Sequence, residues 1–235
     1  MVADVEHGRG AWTVTGKSNG SRYYEYIPGK PMDGTSASKD VNFQAVNLAV
    51  VAIQKRVNNY GYQPKLDTDG IFGGKTKAGV EWMQGRIGVR ADGQVGPTTS
   101  KAMWRDLVLW FAGVNGVPGD HLYGFSALES SFDPGAVGYI SPADRGLCQI
   151  NLTYNPSTSV EQAFDPFYSI NYTAKRLANA RLRYSGKTVD LQVKCSIAQH
   201  NAPAWADSWY KTGSPPNDKI AKYVELVLEN AAKFK

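Results

Sequence analysis

The sequence predicts a mainly α protein: a small three-helix bundle followed by a larger α-rich domain, with a short β-hairpin extension at the N-terminus. Three observations predict it. Apolar residues recur at helical spacing in the long segments after residue 41. The pattern Asp-Gly-x-x-Gly-x-x-Thr occurs twice, at Asp69 and at Asp92, each time just before a helical stretch. Residues 1–40 lack a helical period and set β-branched and aromatic residues on both sides of a Ser-Asn-Gly turn. The expected segments are 1–40, 41–107 and 108–235.

The bulk numbers bound this reading. A chain of 235 residues suits two small domains better than one. An apolar share of 42% is ordinary for a globular protein and excludes disorder over most of the length. The net charge of +5 is unevenly spread. Segment 1–40 is balanced, with five basic and five acidic residues, and 108–235 nearly so, with twelve and eleven. Segment 41–107 has nine basic against five acidic. A basic module suits an anionic partner such as nucleic acid, a membrane surface or a wall polymer; a solvated face explains the charge equally well. No apolar run nears the roughly 18 residues of a membrane span, so no membrane insertion is expected. The opening Met-Val-Ala-Asp-Val-Glu-His lacks the basic and apolar regions of a signal peptide, which suggests synthesis in a cytoplasm. Cys148 and Cys195 are too few for a disulfide framework or a four-ligand zinc site and are expected as thiols. His7, His121 and His200 are scattered without metal-ligand spacing, so neither metal nor cofactor is expected.

Taken in order, "WTVTGKSNGSRYYEYIPG" predicts a hairpin from Trp12 to Ile27, and "GKPMDGTSASKD" a linker. Val46, Ala49, Val50, Ile53 and Val57 predict a helix from about Asn42 to Asn59, ended by Gly61. The doubled pattern predicts two tight Asp-Gly turns, with Phe72 and Val95 plugging the core between the glycines. Helices are expected at Lys75–Arg86 and Pro97–Trp110, with Pro97 suited to a first helical turn.

On "AIQKRVNNYGY", "DGIFGGKTKAGVEWMQ" and "VRADGQVGPTTSKAMW", residues 42–106 resemble the peptidoglycan-binding domain found beside many wall-degrading enzymes. The resemblance implies adhesion to wall glycan or stem peptide. Asp69, Phe72, Gly73, Trp82 and Gln84 are the candidate wall-binding residues, and several of them suit a core equally well.

The remainder reads as helices and irregular loops. "GDHLYGFSALESSFDP" predicts a helix capped near Asp120 and ended before Pro134. A Gly- and Pro-rich loop follows. "DPFYSINYTAKRLANARLRY" sets Ile170, Ala174, Leu177 and Ala178 on one stripe. "LQVKCSIAQHN" is helical up to Asn201, and "KIAKYVELVLENAAKF" turns Ile220, Tyr223, Val224, Val227 and Leu228 inward.

In the first of these helices Leu122, Phe125, Ser126 and Glu129 stand at i, i+3, i+4 and i+7, which puts a carboxylate at the end of the buried stripe. Desolvation and the negative end of the helix dipole both favour its neutral form. A carboxylic acid that stays protonated at neutral pH can donate to a leaving oxygen, as the general acid of glycoside cleavage does. A surface glutamate at a helix C-terminus fits the pattern alone just as well.

The motifs around it run in a recognisable order: "ESSFDPGAV", "GLCQI", "DPFYSI", "AQHNAP" and Tyr223-Val224. With them residues 108–229 resemble the soluble lytic transglycosylases, relatives of goose-type lysozyme. Cys148 stands where that family has Met, His200 where it has Tyr, and the glycine after Ala202 is missing. The resemblance implies that Glu129 is the acid and then the base, and that Ser130 helps place it. It implies that Gln149 and Asn201 hydrogen-bond the sugars and that Tyr223 lines the cleft and orients Glu129; His200, where the chain departs from the family, reads as a cleft wall rather than a catalytic base. Asp144 is the candidate second carboxylate, with Arg145 beside it to neutralise it; Asn151 stands where goose-type enzymes carry a further aspartate. A hydrolase needs that second carboxylate. A transglycosylase does not, because the sugar's own 6-hydroxyl attacks. The expectation is therefore a monomeric, cofactor-free lytic transglycosylase acting on bacterial peptidoglycan, released from a host cytoplasm as a bacteriophage endolysin. The alternatives are hydrolytic muramidase chemistry, an inactive wall-binding protein and, since the basic excess lacks a groove-reading motif, less readily a nucleic-acid binder.

Overall fold

The computed structural model describes residues 11–14, 24–27, 41–138, 141 and 143–234. The protein is mainly helical. An antiparallel pair, β1 (Ala11–Val14) and β2 (Tyr24–Ile27), has Trp12 opposite Tyr26. The predicted Ser-Asn-Gly turn and the linker at 28–40 lie outside the described residues. The helices are α1 (Val41–Asn59), α2 (Gly74–Arg86), α3 (Pro97–Asn115), α4 (Gly119–Ser130), α5 (Val160–Phe164), α6 (Pro166–Arg183), α7 (Val189–Asn201), α8 (Pro203–Thr212) and α9 (Asp218–Ala231). A second antiparallel pair, β3 (Asp144–Arg145) and β4 (Ile150–Asn151), lies between α4 and α5. Among the described residues no helix is long and apolar enough to cross a membrane.

The chain divides into two compact units, one of residues 1–104 and 130–166, the other of 105–129 and 167–235. The division falls inside α3, which runs on to Asn115 past the expected end at Trp110, and just before the last residue of α4.

In the first unit the α1 stripe of Val46, Ala49, Val50, Ile53 and Val57 is buried, as are Phe72 and Val95. The two Asp-Gly turns are built alike, each around one buried glutamine. Gln54 Nε2 donates to Asp69 Oδ1 (2.8 Å), Ile71 O (3.0 Å) and Thr76 Oγ1 (3.1 Å), while Gly70 N donates to its Oε1 (3.0 Å). Gln84 Nε2 donates to Asp92 Oδ1 (3.0 Å), Gln94 O (2.9 Å) and Thr99 Oγ1 (3.1 Å), while Asp92 N and Gly93 N donate to its Oε1. One amide thus satisfies both strands of each turn, and the Asp, Gly and Thr of the doubled pattern are its partners. Burial disfavours ionisation of Asp92. The Gln94 N–H and the Gln84 amide outweigh it, with Arg90 adding, so the carboxyl titrates below its ordinary range. The support it lends the fold is present above the ordinary carboxylate pKa and is lost only as pH falls through that depressed value.

Gln84→Leu keeps the volume and strands the N–H groups of Asp92 and Gly93. Buried unsatisfied donors cost about 1–3 kcal/mol each. We expect the variant to lose about 3 kcal/mol or more, measured by urea denaturation.

The same unit holds the segment 130–166. α5 carries a capping box, with Ser159 Oγ accepting from Gln162 N and the Gln162 side chain from Ser159 N. Gly146 (φ +73°) lies so close beneath it that a Cβ there would sit 1.9 Å from Ala163 O.

The second unit packs α4 and α6–α9. Leu122, Phe125 and Ser126 are buried on α4, Ile170, Ala174 and Leu177 on α6, and Ile220, Val224 and Val227 on α9. α4 and α9 approach backbone to backbone at Gly124, where a Cβ would stand 2.3 Å from Val227 O. α8 was not read from the sequence. It opens with Pro203 in its first turn and closes on Gly213 (φ +78°). Arg183 binds Asp207 of α8 with two nitrogens (3.0 and 2.7 Å), and Tyr184 OH donates to the same carboxylate (2.9 Å). Cys148 and Cys195 are both buried and form no disulfide with each other. Burial pushes the Cys195 thiol up to about 11, which keeps it protonated and unreactive.

Candidate functional site

In the second unit the fold brings Glu129, Tyr223 and His200 together. Glu129 is the penultimate residue of α4, with its side chain 17% exposed. Tyr223 comes from α9, 94 residues further along, and its hydroxyl donates to Glu129 Oε1 at 2.6 Å. The contact fixes the orientation of the Glu129 carboxyl group toward α9. His200, near the end of α7, sets Nε2 3.9 Å from the same oxygen and is 12% exposed. Its ring packs on Phe125, one turn before Glu129, with centroids 5.0 Å apart. The carboxylate therefore stands in a partly dry setting, with an aromatic wall, a hydroxyl donor and an imidazole around it. Asn201 follows His200 at the end of α7 and is exposed.

The approach at Gly124 makes this possible. Val227 lies one turn beyond Tyr223 on α9, and Gly124 five residues before Glu129 on α4. Only a residue without a Cβ lets the helices close enough for the phenol to reach the carboxylate.

Tyr223→Phe removes that donor and keeps the ring. A hydrogen bond to the carboxylate that forms as Glu129 gives up a proton is worth about 1.5–3 kcal/mol. If Glu129 is the proton donor, turnover falls about 10- to 100-fold while KM and melting temperature change little; steady-state kinetics on soluble glycan strands measure this.

Ser130, Asp144 and Gln149 belong to the first unit. Ser130 Oγ donates to Leu147 O (2.7 Å), tying the end of α4 to the Gly-Leu-Cys-Gln segment. Gln149 Nε2 donates to Gly146 O (2.9 Å) and Ala136 O (3.3 Å). The Asp144 carboxylate accepts from Asn151 Nδ2 at 2.7 Å. Arg145 reaches the backbone carbonyl of Asp144 (3.1 Å) with Nη1. Burial lowers the pKa of its guanidinium, and the Asp144 charge works the other way.

Backbone strain points to the same motifs. Among the described residues, the non-glycine residues with positive φ are Ser131 (55°), Phe132 (66°) and Gln149 (51°). The first two follow Glu129-Ser130 directly. Such conformations cost about 1–3 kcal/mol each and cluster at functional sites. Phe132 is fully buried and anchors its pair.

Burial holds the His121 imidazole below its ordinary value, Asp120 opposing and Arg181 reinforcing. Among the described residues no group of three or more His, Cys, Asp or Glu side chains is arranged to hold a metal ion.

The wall-binding candidates divide. Phe72 and Gln84 are fully buried. This corrects the expectation that they touch ligand, because one plugs the core and the other spends its amide on the second turn. Trp82 is half-buried against Tyr62 (centroids 5.4 Å) beneath the Arg86 guanidinium. Asp69 and Gly73 line a shallow open pocket with Gln54, Asp67, Lys75 and Thr76. The pocket lies at the start of α2, where Gly73 makes no side-chain cap. Gln54 and Phe125 escaped the sequence reading: one lies 15 residues before its turn where Gln84 lies 8 before, and the other read only as core.

Residues 47–103 match the family model described as a putative peptidoglycan binding domain. The match spans both glutamine-centred turns and the pocket. No curated protein matches the chain. A peptidoglycan-binding module therefore accompanies the cluster around Glu129.

Proposed function

We propose that the chain cleaves the β-1,4 bond between N-acetylmuramic acid and N-acetylglucosamine in the peptidoglycan to which its binding module attaches it, and that it does so by lytic transglycosylation. The observation that carries this reading is the half-buried Glu129 held by Tyr223 beside His200. In the first step Glu129, as the acid, gives its proton to the glycosidic oxygen as the bond from C1 to that oxygen breaks. The 2-acetamido carbonyl of the muramic acid supports the charge at C1. In the second step Glu129, now the base, takes the proton of the same sugar's 6-hydroxyl, and O6 closes on C1 to give a 1,6-anhydro ring. No water is consumed. An intramolecular attack has the effective-concentration advantage that lets one carboxylate suffice.

The rival reading, hydrolysis, needs a second carboxylate to activate water. Asp144 is the candidate, and its engagement by Asn151 suits a structural role better than a catalytic one. The binding module would raise the local concentration of an insoluble substrate around the cleaving site. The test is release of soluble glycan fragments from purified peptidoglycan by the whole chain. Fragment release supports cleavage; firm binding to the pellet with no release would leave only a wall-binding protein.

A further inference from the structure

We infer that Trp205 is a sugar-stacking platform, taking the apolar face of a pyranose ring of the glycan next to the bond at Glu129; this rests on the cleavage reading above. Trp205 lies in the first turn of α8, which starts directly after the segment that carries His200 against Glu129 and ends in the exposed Asn201. Its side chain is not part of the core. Trp205 is 50% exposed, whereas Trp209, one turn further along the same helix, is 5% exposed. The neighbours leading to it from the site, Pro203 and Ala204, are small and exposed, so the indole stands clear.

The platform is also rigid. Ala206 and Trp209 bury the inner face of α8. Asp207, two residues beyond Trp205, is gripped by Arg183 and Tyr184 OH, and Tyr210 OH donates to Ser185 O (2.5 Å). The helix begins with Pro203, whose fixed φ suits a first turn. An exposed indole held on a fixed backbone offers a large flat contact at low entropic cost. A pyranose presents a row of C–H groups to such a face, while its hydroxyls and N-acetyl group remain free for polar partners such as Asn201. Val114, Leu182 and Val189 are more exposed still but are aliphatic; Trp110 and Tyr154, also more exposed, lie outside the segment that follows His200 and Asn201.

The test titrates the N-acetylglucosamine tetramer into the full chain carrying Glu129→Gln, with and without Trp205→Ala or Trp205→Phe, by calorimetry. Trp205→Ala is expected to weaken binding roughly tenfold and Trp205→Phe by less than about threefold, with melting temperatures unchanged. In the otherwise native chain Trp205→Ala raises KM on soluble glycan strands and leaves kcat unchanged. Equal affinity with and without the indole overturns the proposal and leaves the cleavage reading standing. Indole-dependent binding by a chain that releases no fragments keeps the platform and removes the cleavage reading. No binding of the tetramer together with no fragment release overturns both.

Discussion

Glu129→Gln lowers the release of soluble fragments from purified peptidoglycan by about 10²–10⁴-fold, the usual contribution of a general acid–base residue. The substitution preserves shape and the contact with Tyr223, because the amide oxygen still accepts the phenol's hydrogen. Melting temperature and binding to intact peptidoglycan should therefore match the native chain. That combination separates chemistry from folding and from adhesion. A variant that still clears peptidoglycan at the native rate would remove Glu129 from the reaction.

Gly124→Ala should cost about 1–3 kcal/mol of stability and at least as much activity as Tyr223→Phe. Its Cβ would lie 2.3 Å from Val227 O, 3.1 Å from Ala231 N and 3.2 Å from Ala231 Cβ. The first two are backbone atoms and cannot swing aside, so α4 and α9 must separate. Separation lengthens the 2.6 Å contact from Tyr223 to Glu129. Gly85→Ala is the control: it too is helical, but its Cβ meets nothing within 4 Å. There the better helix propensity of alanine leaves stability equal or higher by up to about 1 kcal/mol. Thermal melting and fragment release on both variants distinguish a local steric effect from a general intolerance of Gly→Ala.

Much of this architecture is legible in the chain because helical periodicity is a local signal. The stripes on α1, α4, α6 and α9 could be read residue by residue, and their fully apolar members are largely buried. The doubled Asp-Gly-x-x-Gly-x-x-Thr pattern was visible too, because its turns need Asp and Gly at fixed offsets. What each turn closes upon was not visible. Gln54 and Gln84 sit at different distances before their aspartates, so sequence alone shows no repeat of the glutamine, and a buried Gln looks like a surface one. α5 and α8 were missed for a related reason. Five and ten residues span too few turns for a period, and their only marks were Ser159 with Gln162 and Pro203 with Gly213.

The site was legible in its types but not in its geometry. Glu129 stands out as a polar residue on an apolar stripe, and Tyr223 as an aromatic on another. That the two meet depends on Gly124, whose importance appears only when Val227 is set against it. Trp205 carried no signal at all, since exposure is a property of the fold.

Mass spectrometry of the fragments released from purified peptidoglycan tests the central claim most directly. Products ending in 1,6-anhydromuramic acid, one water lighter than hydrolysis products, are the expected result and fit a single carboxylate at Glu129. Reducing-end muramic acid would contradict it: water would then be the nucleophile, and a base to activate it would have to be found, beginning with Asp144.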